Sequence, residues 1–395
     1  MPADASRASQ EPYVTSFEAT VEAVDDCAVT LEHTYFYAEG GGQPADRGTL
    51  GGVDVVDVQS RDGETVHTLA SAPDFAAGDT VAGSIDEAFR TYSMRAHTAS
   101  HIVYGAGRRL FDGHGYGGFD IGEDRIRLDF ETDASAETAD PLTVQEMVNE
   151  VVWEDRAVDW YEMDIDAARD HEDIVFNLGD ATPTEQVRIV EIEDWDISAC
   201  GGTHVASTVE VGPIKVLEVS NPGADLVRVE YAVGPTANER HVAATRSARR
   251  AADALDTGVE RLGDRAEGLL EEKKALQEET DRLRGELLDA RLSALAGETD
   301  TRDGREWLVG TVDGVDSNTV ADHLRTRDGA ADVVVLTGSD GGTFVVVGTD
   351  GETDANDVIG EITDEFGGGG GGQPTLAQGG GLSAAPEAVV DYLTD

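Results

Sequence analysis

The sequence predicts a multidomain α+β protein: a small antiparallel β unit, an α+β core, a helical arm and a C-terminal α/β domain. Three observations predict it. Residues 13–83 break into short alternating apolar runs between Gly and Asp turns, the period-two pattern of half-buried strands. From Asp86 to about Gly234 helical and strand periodicities mix. Beyond Pro235 comes a polar helical tract with leucine every seven residues, and after Gly297 short apolar runs and helices return. At 395 residues the chain exceeds what one core commonly supports. The changes of pattern draw boundaries at 1–85, 86–234, 235–297 and 298–395.

The polar start, MPADASRASQEP, is expected to fray. The runs VEAVDDCAVTLEHTYFY, TLGGVDVVDVQS, ETVHTLAS and DTVAGSID supply the strands of the first unit, with Cys27 as a small buried residue and the loop EGGGQPADRG, Glu39 to Gly48, between them. A helix is expected over Asp86 to Phe111, a strand at RIRLDFE, a helix at PLTVQEMVNEVVWED, and strands at VRIVEIEDWDI and GPIKVLEVS on either side of CGGTH. In the arm, Leu255, Leu262, Leu269, Leu276 and Leu283 make one seam, while Val259, Ala266, Lys273, Thr280 and Leu287 are only partly apolar, which favours an arm or hairpin over a long independent coiled coil. The last domain has strands at EWLVGTV, DVVVLTG and TFVVVGT, helices over Ser317 to Arg327 and Asp354 to Phe366, and a final helix from about Ser383. Before that helix lies GGGGGGQPTLAQGGG, Gly367 to Gly381.

The net charge is −51, and Lys215, Lys273 and Lys274 are the only lysines. The acidic residues are spread through foldable segments, so they read as a solvated, halophilic surface and not as a disordered tail. No apolar stretch is long enough for a membrane span and no signal peptide is expected. With only Cys27 and Cys200 a disulfide framework is implausible, and a reducing cytoplasm fits best.

Two short strings carry the chemistry. In HTASH, His97 and His101 stand at i and i+4 and project from one helix face. In CGGTH, glycines let a thiolate from Cys200 and an imidazole from His204 face one ion. Imidazole nitrogen and thiolate sulfur together suit Zn²⁺, one per chain. On spacing alone a closed structural zinc site is as good a reading as a catalytic one. The remaining histidines, His33, His67, His114, His171, His241 and His323, lack a partner at ligand spacing and default to surface or satisfied core positions.

The loop TYFYAEGGGQPADRG, the helix motif HTASH, the turn CGGTHV and the distal GGGGGGQPTLAQGGG follow the order seen in the editing half of alanyl-tRNA synthetases and in free-standing AlaX-type editing proteins, and the chain resembles the long form of AlaX across nearly its whole length. The resemblance implies an editing core followed by an arm and a DHH-associated domain, with no room for a class II aminoacylation domain. It implies hydrolysis of the ester that joins serine or glycine to tRNA(Ala), with His97, His101, Cys200 and His204 as the zinc ligands. It assigns catalytic positions to Gly41, Gly42 and Gln43 of the glycine loop, and to Thr34 a contact with the serine hydroxyl that alanine would leave unpaired. Against each stands a plainer reading: a turn between strands for the glycines, an ordinary strand threonine for Thr34.

Binding of tRNA by so acidic a chain needs local cations. Arg95, Arg108 and Arg109 on the His-bearing helix, Arg125 and Arg127 on the next strand, and Arg240, Arg246, Arg249 and Arg250 at the start of the arm offer a track, unless neighbouring carboxylates pair with them. Gly370 and Gly371 of the distal block resemble a tRNA-contact motif, although Gln373 stands where a basic residue is commonly expected. A second copy of the chain is a further partner, through the arm or the last domain. No DHH triplet precedes that domain, which argues against a phosphoesterase. The alternative to a deacylase is a non-catalytic tRNA-binding or synthetase-associated protein with structural zinc.

Overall fold

A computed structural model describes residues 6–111, 115–135, 139–176, 185–223, 225–295, 299–326 and 331–395; His114, Gly297 and Arg327 lie outside the described residues. The chain divides into two compact units, Met1–Arg250 and Ala251–Asp395.

The first unit opens with six strands, β1 (Ser16–Asp25), β2 (Ala28–Leu31), β3 (Gly48–Leu50), β4 (Val53–Arg61), β5 (Glu64–Leu69) and β6 (Thr80–Ile85), closed into an antiparallel barrel in the order β1-β2-β5-β4-β3-β6. Alternating residues such as Ala19, Val21, Val29, Val58 and Val81 fill its interior, as the period-two pattern requires. TYFY is not part of a strand; it belongs to the loop between β2 and β3. Cys27 is half-buried in the β1–β2 turn and not in a strand interior, because Asp26 beside it turns the chain at φ 53°. The N-terminal segment does not fray from Ser6 onward. Ser6 Oγ donates to Phe36 O at 2.6 Å, Arg7 N donates to Thr34 O at 2.9 Å, and Ala8 is fully buried, so these contacts strap the segment across the loop.

Helix α1 (Glu87–Leu110) starts where Asp86 caps it, accepting from Ala88 N and Phe89 N at 3.0 and 3.1 Å. Its middle is buried on all sides, Gly105 leaving room for Trp195 and Gly107 for Phe130. Around it lie two four-stranded sheets. One, in the order β13-β14-β8-β7, comprises β7 (Gly115–Ile121), β8 (Ile126–Glu131), β13 (Lys215–Gly223) and β14 (Leu226–Ala232). The other, in the order β10-β12-β11-β9, comprises β9 (Val158–Asp164), β10 (Val175–Phe176), β11 (Gln186–Ile192) and β12 (Asp196–Ala199). Helices α2 (Pro141–Trp153) and α3 (Ile165–Asp170) complete the core, and α4 (Gly234–Ala254) follows β14. VRIVEIEDWDI is therefore a hairpin of β11 and β12 that leads straight into CGGTH.

In the second unit α5 (Leu262–Leu295) buries Leu288, Leu292 and Leu295, spaced at i, i+4 and i+7, against Leu308, Val312, Leu336 and Val346. The heptad leucines are not what it buries: Leu276 and Leu283 are 68% and 50% exposed, and Leu255 precedes the helix. The sheet order is β15-β16-β17-β18-β20-β19, from β15 (Asp300–Arg302), β16 (Arg305–Val312), β17 (Val333–Ser339), β18 (Thr343–Thr349), β19 (Gly369–Gln373) and β20 (Leu376–Leu382), with β16 and β17 parallel and the other pairs antiparallel. Helices α6 (Ser317–Thr326), α7 (Ala355–Phe366) and α8 (Pro386–Thr394) pack on it. The distal glycine block is a β-hairpin: a Cβ on Gly370 would lie 2.4 Å from Gln378 O and 2.9 Å from Ile359 of α7, so bare backbone is needed for close packing.

Candidate metal centre

HTASH lies in the buried middle of α1, and CGGTH follows β12, which packs on the same helix; the two pairs meet. His97, His101, Cys200 and His204 each present one donor atom, all within 4.8 Å of one another, and none of the four residues is more than 4% exposed. His97 Nε2 and His204 Nε2 lie 3.3 and 3.5 Å from Cys200 Sγ. Gly202 makes the approach feasible, since a Cβ there would fall 2.1 Å from the His97 ring.

Each imidazole is held from behind, and here three residues enter that motif spacing did not reveal. Thr203 N–H can only donate, and it meets Gln43 Oε1 at 3.0 Å; that oxygen also lies 2.9 Å from His97 Nδ1, which therefore carries the proton. Gln43 Nε2 donates to Thr203 Oγ1 at 2.9 Å. His101 Nδ1 donates to Asp196 Oδ2 at 2.8 Å, and His204 Nδ1 faces Thr98 Oγ1 at 3.2 Å. Every Nε2 is thus directed to the centre. His101 Nε2 is buried with no hydrogen-bond partner among the described residues, and an unpartnered nitrogen at the focus of a His₃Cys set fits a divalent metal ion. Burial opposes ionisation of the Cys200 thiol, yet His97 and His204 beside it outweigh burial and hold the thiol well below its ordinary range, in the thiolate form a metal requires.

The glycine loop reaches this centre through a tight turn. Gly40 and Gln43 exchange backbone hydrogen bonds at 3.1 and 3.0 Å, with Gly41 and Gly42 at φ 58° and 82°. Gly42 has a structural need to be glycine: a Cβ would lie 2.3 Å from Phe119 O. Gly41 is the exposed tip, with nothing near its Cβ position. Gln43 is fully buried and its amide is committed to His97 and Thr203. Thr34 is buried in the same loop; His67 Nδ1 donates to Val29 O at 3.1 Å, so His67 Nε2 accepts the Thr34 hydroxyl proton at 2.9 Å, and Phe36 N donates to Thr34 Oγ1 at 3.1 Å. His67 is a satisfied core histidine that burial holds down at about 4.

The arginines separate into paired and unpaired sets. Arg108 pairs with Asp173 and Asp196, Arg125 with Glu230, and Arg127 with Asp129. Arg109 lies 3.7 Å over the Trp195 ring and donates to Gly105 O at 2.7 Å. Arg95 Nε is buried without a partner among the described residues, and Arg249 and Arg250 are exposed on α4. Gly370 and Gly371 are both exposed; a Cβ on Gly370 would collide with Gln378 O and with Ile359 of α7, whereas one on Gly371 would meet only Asn356 Oδ1 at 3.8 Å.

Comparison with known proteins agrees with this architecture. Residues 187–230 match the threonyl and alanyl tRNA synthetase second additional domain, residues 8–89 the class II (A) tRNA synthetases, and residues 306–394 the DHHA1 domain. The alanine–tRNA ligase of Methanosarcina mazei is 33% identical over 412 residues, covering 100% of this chain and 44% of that protein. That of Halobacterium salinarum is 37% identical over 90% of this chain and 39% of its own length. That of Pyrococcus abyssi is 31% identical over 96% and 42%. The crystal structure of the C-Ala domain from Aquifex aeolicus alanyl-tRNA synthetase is 28% identical, covers 24% of this chain and 94% of that one, and has a TM-score of 0.22. The chain spans less than half the length of these ligases. Fold and matched domains together define a multidomain α+β protein of the tRNA-synthetase-related class. Within that class the chain is similar over nearly its whole length to part of the alanyl-tRNA ligases, which is consistent with an AlaX-like relative. Among the described residues no helix is long and apolar enough to cross a membrane.

Proposed function

We propose that the protein is a trans-acting deacylase that hydrolyses mischarged Ser-tRNA(Ala), and Gly-tRNA(Ala), in the cytoplasm, with one zinc ion held by His97, His101, Cys200 and His204. The observation that carries this reading is convergence: Gln43 of the glycine loop bonds both His97 of the helix motif and Thr203 of CGGTH, 160 residues away. Three motifs that meet at one buried point, in a relative of alanyl-tRNA ligases, favour an editing pocket over three separate turns.

A zinc ion there supplies Lewis acidity toward an ester carbonyl or water. The residues of the chain supply the rest. Gln43 acts as a positioning residue that keeps the His97 lone pair at Nε2. The exposed Gly41 tip brings bare backbone to the terminal ribose. Thr34 donates its hydroxyl hydrogen bond to His67, so it can only accept a further hydrogen bond, and a serine hydroxyl is a donor where an alanine methyl is not. Arg95, Arg249 and Arg250, free of carboxylate partners among the described residues, are the cations this reading assigns to tRNA, with Arg109 and Gly371 as further contacts. The exposed Leu276 and Leu283 leave an apolar stripe for a second copy of the chain.

A second reading, a structural zinc in a non-catalytic tRNA-binding protein, is favoured by the burial of all four ligands. Deacylation of Ser-, Gly- and Ala-charged tRNA(Ala) at high KCl separates the two. The proposal expects loss of serine ester with wild type, no hydrolysis with Cys200→Ala or His97→Ala, and relaxed serine preference with Thr34→Val. A serine ester left intact by folded, zinc-loaded protein selects the structural reading.

A further inference from the structure

The three imidazoles of the metal centre are held unequally. His97 leans on the neutral Gln43 amide and His204 faces a Thr98 hydroxyl at 3.2 Å that also accepts from Val205 N at 3.1 Å. His101 alone of the three donates to a carboxylate, Asp196, at 2.8 Å. The Asp196 side chain is fully buried, and its Oδ2 also accepts from Ser198 Oγ at 2.9 Å. Its Oδ1 has no hydrogen bond among the described residues but faces Arg108 Nη1 at 3.7 Å, which balances a buried charge. Asp196 opens β12, four residues before Cys200, so the strand that delivers the thiolate also sets the opposing imidazole.

A carboxylate behind an imidazole N–H fixes the ring and pushes electron density to the ligating nitrogen, more than a neutral acceptor does. We infer that Asp196, backed by Ser198 and Arg108, is a positioning residue that makes His101 the anchoring ligand of the centre and leaves His204 the ligand that yields most readily. The inference rests on these residues holding a metal, and not on the ester reaction.

The test uses the full chain and no tRNA, so failure of the deacylase reading leaves it standing. Zinc affinity is measured by competition with a chromophoric chelator, and the coordination sphere by the thiolate charge-transfer band of the cobalt-substituted protein. Asp196→Ala is expected to weaken zinc about 10–100-fold. Asp196→Asn, which keeps an acceptor without the charge, should fall between Asp196→Ala and wild type. Thr98→Val should cost much less than either. His204→Ala should retain the cobalt thiolate band and His101→Ala should lose it. An unchanged zinc affinity in Asp196→Ala with native circular dichroism overturns the inference, as does a His204→Ala that loses metal as fully as His101→Ala. Should Asp196→Ala not fold, Asp196→Asn decides alone, and an unchanged affinity there overturns it. A wild-type chain that takes up neither zinc nor cobalt removes the centre and the inference with it.

Discussion

Gly202 shows how far a single atom decides the centre: the His97 ring occupies the space a Cβ would take. Gly202→Ala is therefore expected to displace His97 and weaken metal binding, with chelator competition as the measure, while Gly201→Ala, with nothing near its Cβ position, should leave it close to wild type. His67 makes a second prediction at this scale. The folded chain holds it at about 4, while unfolded it titrates near 6.5, so as pH falls the unfolded state takes the proton first. The stability contributed by the neutral imidazole is complete above pH 6.5 and is lost down to pH 4, by about 3 kcal/mol. Denaturant melts at neutral pH and near pH 4.5 should show this loss in wild type and a smaller one in His67→Gln; equal losses would refute the assignment. The chemistry of these residues was legible as residue types and spacing. Their partners were not: Asp196 and Thr98 are ordinary polar residues in the sequence, and only packing shows which nitrogen each one faces.

Helix α1 and the glycine loop are joined by a buried ion pair, and the link belongs to the element scale. Arg90 is 1% exposed; its Nε donates to both Asp46 oxygens at 3.1 Å and its Nη1 to Pro12 O at 2.7 Å, while Asp46 Oδ2 accepts from Tyr37 N at 2.6 Å. Removing one partner leaves the other charge buried, so Arg90→Met should cost about 3–5 kcal/mol, and the Arg90→Met, Asp46→Leu pair should cost less than the sum of the single changes. A double-mutant cycle in urea checks this. In α5, Leu292→Ala should cost about 2–5 kcal/mol as a cavity in a packed core. Leu276→Ser, at an exposed position, should change monomer stability by about 0.5 kcal/mol or less. The α1 boundaries were legible because Asp86 is a strong cap and the periodicity is long. The buried face of α5 was not, because two leucine series coexist and the choice between them is made by packing against β16 and α6, which the helix's own pattern does not show.

Across the whole molecule the net charge of −51 sets the conditions under which the fold is stable. Mutual repulsion of surface carboxylates falls as salt screens it, so the melting temperature is expected to climb from low to molar KCl; a flat or falling dependence, read by circular dichroism, would contradict this. The sequence by itself determined the α+β class, most of the helix and strand runs, the four residues of the candidate metal centre and the glycine loop, because periodicity, capping and ligand chemistry are local properties of neighbouring residues. The tertiary structure alone decided that Gln43, His97 and Thr203 share one hydrogen-bonded centre, that the polar N-terminal segment is strapped down, that the distal glycines form a packed hairpin, and that Leu276 and Leu283 of the heptad series stay exposed. Each of these depends on tertiary packing, in the first two between segments far apart in the chain, where burial and hydrogen-bond satisfaction select one partner among many that local pattern leaves equivalent.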